Sequence, residues 1–214
     1  LWTALKELGI NHVTLPFLWS RHEPTRGQRR DAEQDAVFPA ADFQGPLYVV
    51  SEFSATDGTG GTYRNRLQYS GAQLHLQGRG FQGFAAQRIE DTRTGLVTID
   101  SVSRVFPYTG MQVQRDVLQA NGTTPVRQWQ AVLGQQAMGM AGREQRSFPF
   151  VASTSARQFE LGGVLDGTLV TDASTTFAYG DGYGNPTLVQ TTTWDRDPYS
   201  PHLNSAWRST LSLD

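Results

Sequence analysis

The sequence predicts an all-β protein in which successive hairpins form a curved antiparallel sheet. After Pro46, short runs of Val, Ile, Thr, Tyr and Phe alternate with polar residues, as in residues 47–50 and 62–69. This period of two is typical of strands with one buried face. The 214 residues include 22 Gly, a number that indicates many tight turns. Helical periodicity is missing from most of this part, so we expect strands to dominate it.

The first 35 residues differ in pattern from the rest. Residues 1–9 place leucines at helical spacing and end in glycine, which allows a short N-terminal helix. Residues 11–19 alternate as a strand does, and residues 21–35 are polar and contain Pro and Gly, as linkers often do. We therefore divide the chain into a divergent N-terminal segment with a linker, residues 1–35, and a β segment, residues 36–214.

Glycine-rich stretches predict where strands of the β segment reverse direction. Residues 57–61 read Asp-Gly-Thr-Gly-Gly and predict a flexible turn. Residues 91–95 read Asp-Thr-Arg-Thr-Gly and predict a five-residue hairpin loop with glycine where a positive φ is needed. Residues 135–146 lack this pattern and fit either a helix or an irregular loop.

Two dipeptides predict tighter hairpins. Asn121-Gly122 fits a type I′ turn, in which both central residues have positive φ. Asp166-Gly167 predicts a second tight turn, between strands over residues 159–165 and 168–171. Both positions are therefore expected to reverse the chain.

Charge and composition exclude several classes of function. The 18 basic and 20 acidic residues give a net charge of −2, and the arginines are scattered, whereas a nucleic-acid binder needs clustered cations. The absence of Cys excludes disulfides, thiolate metal sites and cysteine nucleophiles. No apolar run is long enough to span a bilayer.

Motifs for catalysis and metal binding are also missing. The glycines of residues 78–84 lack the Lys-Ser/Thr pair of a phosphate-binding loop. Residues 195–197, Asp-Arg-Asp, lack the Gly and Glu of a calcium loop. The four histidines have no metal-ligand spacing; they are His12, His22, His75 and His202. We expect no enzymatic activity, no cofactor and no metal ion.

Glycine-aromatic motifs are the most distinctive feature of the β segment. Residues 78–84 read Gly-Arg-Gly-Phe-Gln-Gly-Phe, and residues 106–110 read Phe-Pro-Tyr-Thr-Gly. Glycine permits close approach of neighbouring backbones, and the rings supply area to bury. The residues expected to form this structural signature are Gly78, Arg79, Gly80, Phe81, Gly83, Phe84, Phe106, Pro107, Gly110, Tyr183, Gly184 and Asn185.

The order and spacing of these motifs resemble a known family. Residues 78–84, 91–95 and 106–110 are similar to elements of the middle region of the Tc toxin B component and related Rhs proteins, where G-R-G-F-x-G-F precedes D-x-x-T-G and F-P-x-x-G. Residues 177–194 resemble a YD repeat, with an aromatic strand, an Asp-containing turn, Gly-Asn and Thr. Each such repeat is a hairpin that needs neighbours to bury its apolar face.

The resemblance implies a structural function. The segment would form part of a larger Rhs-type β shell of a bacterial toxin, secreted or associated with the cell surface, that encapsulates a C-terminal toxic polypeptide. Its partners would be the rest of the same polypeptide, the enclosed toxin and other toxin-complex subunits. We expect a fragment of a longer chain, because the sequence begins without Met and shows one clear YD repeat. Asp197-Pro198 lacks the continuation of the family's self-cleavage element, and that activity is not inferred.

Two alternatives come from other classes of protein. A carbohydrate-binding β-sandwich would present aromatic side chains on one face, and the candidates are Trp129, Trp194, Trp207 and Tyr199. A glycoside hydrolase fragment is suggested by residues 8–24, which look like the first strand and loop of certain barrels. No alternation of strands and helices follows, and Glu23 has no local carboxylate partner.

Overall fold

The computed structural model describes residues 10–14, 17–18, 36–43, 45–138, 146–180 and 184–213. These residues form strands, turns and one short 3₁₀ helix, and no α-helix occurs among them. The predicted fold class, an all-β chain with an antiparallel sheet of successive hairpins, is confirmed. The short helix expected at residues 1–9 and the linker at 21–35 lie outside the described residues.

The chain divides into two compact units, Leu1–Asp100 and Ser101–Asp214. Unit 1 contains β1 (Ile10–Thr14), β2 (Phe17–Leu18), β3 (Ala40–Asp42), β4 (Leu47–Tyr48), β5 (Glu52–Thr56), β6 (Thr62–Ser70), β7 (Gln73–His75), β8 (Gly80–Gly83) and β9 (Ala86–Asp91), and β10 (Val97–Val102) crosses the boundary. Unit 2 contains β11 (Gln112–Leu118), β12 (Pro125–Met138), β13 (Arg146–Phe159), the 3₁₀ helix η1 (Gly163–Leu165), β14 (Leu169–Tyr179), β15 (Pro186–Asp195) and β16 (Ala206–Ser212).

Unit 1 has one larger sheet and two small ones. The larger sheet has the order β1-β5-β6-β9-β10, and the small sheets are β2-β4 and β3-β7-β8. Strand β6 alternates between exposed and half-buried residues, because one of its faces is covered and the other is open to solvent. The alternation predicted for residues 62–69 is therefore confirmed, whereas the strand predicted at 47–50 is limited to Leu47–Tyr48.

Unit 2 is a meander in which each strand pairs with the next, in the order β11 to β16. Four of its five strand pairs contain a shift of register. In the pairing of β14 with β15, Ala178 pairs with Leu188 and Tyr179 with Pro186, so Thr187 is an extra residue. Such bulges bend a strand and increase its local twist.

Burial in the described residues is low. Val97 and Leu118 are the hydrophobic residues that are buried, and Ser54 and Gln82 are the buried polar ones. Along β14 and β15, successive residues are mostly half-buried. Since successive side chains point to opposite faces, neither face of these strands is fully covered by the described part of the chain.

Two predicted hairpins exist but have longer loops than expected. Among the described residues, Asn204 is the only non-glycine with a positive φ, so Asn121-Gly122 is not a type I′ turn. The Asn121 side chain instead accepts hydrogen bonds from the amides of Thr123 and Thr124, at 3.0 and 2.9 Å. The Asn side chain thereby stabilises a longer loop that needs a positive φ at Gly122 alone (72°).

The second hairpin deviates further. The strand expected over residues 159–165 ends at Phe159, and η1 lies inside the loop that follows. The loop is closed by the Glu160 amide donating to the Thr168 carbonyl at 2.8 Å. Asp166 accepts a hydrogen bond from the Gly162 amide at 2.7 Å, which explains a wide loop where the dipeptide alone predicted a tight one.

The helix or irregular loop expected at residues 135–146 is wrong for its described parts. Residues 135–138 continue β12, and Arg146 begins β13. These residues pair across the two strands, Gln135 with Pro149 and Met138 with Arg146. Tertiary pairing supplies the hydrogen bonds that the weak local pattern did not indicate.

Candidate functional site

The Gly-Arg-Gly-Phe-Gln-Gly-Phe motif forms a bulged hairpin in unit 1. Strands β7 and β8 flank a turn over residues 76–79 that contains Gly78 and Arg79. Gln73 pairs with Gly83 and Leu74 pairs with Phe81, which leaves Gln82 as the extra residue of a β-bulge. Glycine is required at three points, because Gly78, Gly80 and Gly83 have φ values of 91°, 71° and 83°.

The side chain of Gln82 turns inward and holds the hairpin together. Its exposed fraction is 8%, and its Nε2 donates to the carbonyl oxygens of Arg79 at 3.3 Å and Gly80 at 3.2 Å. The buried amide thus satisfies backbone acceptors at a point where the ladder is interrupted. The motif therefore stabilises the turn.

Aromatic rings connect this hairpin to the neighbouring strands. The ring of Phe81 lies 5.2 Å from Phe43 and 5.9 Å from Phe84, both edge to face, and Phe84 lies 4.9 Å from Tyr69 on β6. We call these four residues the unit 1 aromatic cluster. Burial raises the pKa of Tyr69, whose hydroxyl accepts a hydrogen bond from Gln87 at 3.4 Å. The cluster joins the sheet β3-β7-β8 to the larger sheet of unit 1.

The Asp-Thr-Arg-Thr-Gly loop is stabilised by its own aspartate. The Asp91 carboxylate accepts hydrogen bonds from the Arg93 amide and the Thr94 hydroxyl, both at 2.9 Å. The Arg93 amide is the largest cause of the lowered pKa of Asp91. The Gly95 amide closes the loop onto the Asp91 carbonyl at 2.8 Å, and Gly95 has a φ of 74°. The predicted five-residue hairpin loop is confirmed.

The Phe-Pro-Tyr-Thr-Gly motif occupies the loop before β11. Pro107 follows a cis peptide bond, and Gly110 has a φ of 84°. The Gly110 amide donates to the Ser103 carbonyl, and the Ser103 amide donates to the Met111 carbonyl, each at 2.8 Å. Phe106 remains 53% exposed, so its ring lies at the surface of the described chain.

Tyr179, in the stretch predicted to be a YD-like repeat, belongs to a second aromatic cluster, in unit 2. Tyr179 lies 4.6 Å from Phe150 and 6.0 Å from Phe148, and these two rings are 5.8 Å apart. We call these three residues the unit 2 aromatic cluster. The Tyr179 hydroxyl donates to the Val151 carbonyl at 3.0 Å, while burial raises the pKa of Tyr179. Tyr179 therefore connects β14 to β13, the strand before it.

Two glycines lie directly against these rings. A Cβ atom at Gly184 would lie 2.7 Å from the Phe148 ring, and one at Gly134 would lie 2.7 Å from the Phe150 ring. Gly184 also has a φ of 90°. Asn185 follows it immediately before β15, whereas Tyr183 lies outside the described residues.

Several residues in and around the two clusters were not predicted from the sequence. Phe43 contacts the predicted residue Phe81, and Phe148 lies against the predicted residue Gly184. Phe150 contacts Tyr179, and Gly134 lies against Phe150. The alternation Phe148-Pro149-Phe150 was an available signal, since two aromatics two residues apart share one face of a strand. No sequence pattern marks Gly134, because the need for glycine there arises from its pairing with Phe150 on the neighbouring strand.

The acidic residues of the loop between β15 and β16 accept hydrogen bonds from the loop's own amides and from a hydroxyl within it. Asp195 accepts hydrogen bonds from the Asp197 amide at 2.9 Å and from the Ser200 hydroxyl. The Ser200 hydroxyl is the largest cause of the lowered pKa of Asp195. Asp197 accepts a bond from the Tyr199 amide at 2.9 Å. Within the described ranges, no group of three metal-ligating side chains occurs, and no helix is long and apolar enough to cross a membrane.

The candidate sugar-binding aromatics do not share one surface. Trp129 pairs with Ala156, which pairs with Ala173, then Thr193, then Trp207. Directly paired residues lie on the same face of a sheet, so Trp129 and Trp207 share one face. Trp194 follows Thr193 along β15 and therefore lies on the opposite face. Four strand spacings place Trp129 about 19 Å from Trp207. The candidate Glu23 lies outside the described residues.

Comparison with known proteins adds a likeness of fold. No protein-family model and no curated protein sequence matches the chain. Among solved structures, TcdB2-TccC3 without its hypervariable C-terminal region has a TM-score of 0.59 at 10% identity over 70% of this chain. The Tc holotoxin pore of Photorhabdus luminescens has a TM-score of 0.60 at 11% identity over 74% of this chain.

The fold is similar to part of a Tc toxin chain. A further structure, TcdB2-TccC3-Cdc42, matches 75% of this chain with a TM-score of 0.59 at 10% identity. The chain spans about a tenth of the length of each Tc toxin chain, 10% in every case. The likeness to Tc toxin chains therefore concerns one segment of a much larger molecule.

Proposed function

We propose that this chain is a non-catalytic structural segment of a bacterial Rhs/Tc-type toxin shell that encapsulates a toxic polypeptide. The observation that carries the proposal is the incomplete burial of both faces of β14 and β15, in a chain whose fold is similar to part of Tc toxin chains. A sheet that buries so little of itself needs neighbours, because burial of apolar surface is the main driving force of folding.

The glycine-aromatic motifs support a structural function. Gly80, Phe81 and Gln82 stabilise a bulged hairpin, and the unit 1 aromatic cluster joins two sheets. Tyr179, in the stretch that we predict to be a YD-like repeat, contacts Phe148 and the Val151 carbonyl of the preceding strand, β13. All these contacts hold strands together, which is what a structural wall requires. On this proposal, the partners are the rest of the toxin polypeptide, its cargo and other toxin-complex subunits, in a secreted or surface-associated assembly.

Protease protection of the cargo tests the proposal. In the complete gene product that contains this chain, we expect the C-terminal polypeptide to resist trypsin while the shell is folded and to be digested after denaturation. Gly184→Ala, which places a methyl group against Phe148, should open the wall and speed digestion. Gly122→Ala is the matched control, since space near Gly122 is open. A C-terminal polypeptide that is digested equally fast before and after denaturation would refute encapsulation.

A further inference from the structure

The loop between β11 and β12 contains an Asn-Gly dipeptide, a sequence that is prone to spontaneous loss of the asparagine amide. Of the five asparagines in the chain, Asn121 alone is followed by Gly. Glycine has no side chain to shield its backbone nitrogen from the preceding carboxamide. Asn121 is exposed to solvent. In an unfolded chain, this dipeptide is therefore the asparagine site that should react first.

Deamidation at this dipeptide requires the Gly122 nitrogen to attack the carboxamide carbon of Asn121. The nitrogen loses its proton to water and forms a bond to that carbon. The bond from the carbon to Nδ2 breaks, and ammonia leaves with a proton taken from water. Water then opens the succinimide ring at either carbonyl, which yields aspartate or isoaspartate. The reaction therefore needs a free Gly122 N–H and a carboxamide that is turned towards it.

The folded loop engages both reacting groups with other partners. The Gly122 amide donates to the Gln119 carbonyl at 2.8 Å. The Asn121 Oδ1 accepts from the amides of Thr123 and Thr124, and its Nδ2 donates to the Thr124 Oγ1 at 2.7 Å. Four hydrogen bonds thus hold the attacking nitrogen and the carboxamide away from each other.

A neighbouring loop of unit 2 braces this arrangement. The Gln119 Nε2 donates to the Asp166 Oδ1 at 2.6 Å, and a Cβ atom at Gly167 would lie 3.0 Å from the Thr124 methyl group. The Gln119 amide also donates to the Thr124 carbonyl at 2.8 Å. Residues 119 and 124 supply partners for the two reacting groups, and they are held both to each other and to the loop over residues 160–168.

We propose that Asn121 is a deamidation site that the native loop suppresses, so that the amide is retained in the folded chain and lost from the unfolded chain. Several hydrogen bonds must break before the ring can close, and we expect the folded chain to react at least about tenfold more slowly than the same chain unfolded in urea. The proposal does not depend on the shell function, because all the contacts that it uses lie within unit 2.

Peptide mapping by mass spectrometry measures this difference. Trypsin releases residues 116–127, in which Asn121 is the only asparagine, and the mass of this peptide gives the deamidated fraction after incubation at neutral pH. Circular dichroism establishes which samples are folded. A folded chain that reacts as fast as the unfolded chain, or faster, would overturn the proposal. A faster reaction would mean that the amides of Thr123 and Thr124 stabilise the oxyanion that develops on Oδ1.

Two neighbouring threonines provide a matched pair of variants. Thr124→Val removes the Oγ1 that accepts from Nδ2 but keeps a methyl group near Gly167, and folded-state deamidation should rise about 2- to 10-fold. Thr123→Val leaves the four hydrogen bonds in place and should change the rate by less than about twofold. In urea, both variants should react like wild type. Equal rates for the two folded variants would contradict suppression by the bonds of the Asn121 side chain.

Discussion

The Phe148 ring occupies the space into which a side chain at Gly184 would project, with the ring 2.7 Å from an ideal Cβ position. The two residues are far apart in the sequence, since Gly184 lies just before β15 whereas Phe148 belongs to β13. Glycine at position 184 is thus required both by the backbone, with φ at 90°, and by the neighbouring ring. These two requirements can be separated by substitution.

Three glycine-to-alanine variants separate strain from steric clash. Gly122→Ala meets only an unfavourable φ of 72°, with open space around it, and should cost about 1–2 kcal/mol. Gly134→Ala meets only the Phe150 ring and should cost about 1–3 kcal/mol. Gly184→Ala meets both and should cost about 2–5 kcal/mol in the free energy of unfolding measured in urea. A Gly184→Ala penalty equal to that of Gly122→Ala would show that Phe148 imposes no constraint.

Loss of the Gln82 amide should destabilise the bulged hairpin. Gln82→Met preserves side-chain length but leaves the carbonyls of Arg79 and Gly80 without the amide donor, so we expect a cost of about 1–3 kcal/mol in the free energy of unfolding. The control is Gln68→Met on the exposed face of β6, which should change stability by less than about 0.5 kcal/mol. Equal effects of the two substitutions would contradict a structural role for the buried amide.

The hydroxyl and ring of Tyr179 should contribute separately. Tyr179→Phe removes the hydrogen bond to the Val151 carbonyl but keeps the ring near Phe150, and we expect a cost of about 1 kcal/mol. Tyr179→Ala removes both and should cost about 2–4 kcal/mol. Denaturant unfolding of the two variants measures the difference, and similar costs would mean that the ring contacts contribute little.

Stability should depend on pH through Asp91. Hydrogen bonds in the folded loop lower the pKa of this carboxyl, the Arg93 amide being the largest cause, so its stabilising contribution is present above the unfolded-state pKa of about 3.9 and is lost as pH falls through the folded-state pKa. The difference in unfolding free energy between wild type and Asp91→Asn should therefore be largest above about pH 5 and shrink toward pH 3. Because the group is exposed, we expect a difference below about 1 kcal/mol. A difference that grew on acidification would contradict the assignment.

Local turn chemistry explains which elements could be predicted. The loops at residues 57–61 and 91–95 follow from side chains and glycines within a few residues of each other, such as Asp91 with Arg93 and Thr94. The Asn121-Gly122 loop was predicted in position but not in type, because a tight turn and a longer Asn-stabilised loop use the same dipeptide. Residues 135–138 were not predicted as a strand, because their hydrogen bonds come from β13.

The sequence by itself determined the all-β class, the positions of most reversals and the glycine-aromatic motifs. Only the tertiary structure decided that Phe148 covers Gly184, that Phe150 covers Gly134, and that Trp129 and Trp194 lie on opposite faces. The physical reason is that turns depend on neighbours along the chain, whereas contacts across a sheet depend on strand register. A register shift of one residue moves every side chain of a strand to the other face. Because the strands of unit 2 contain bulges, the alternation of apolar and polar residues in the sequence does not predict which residues pair.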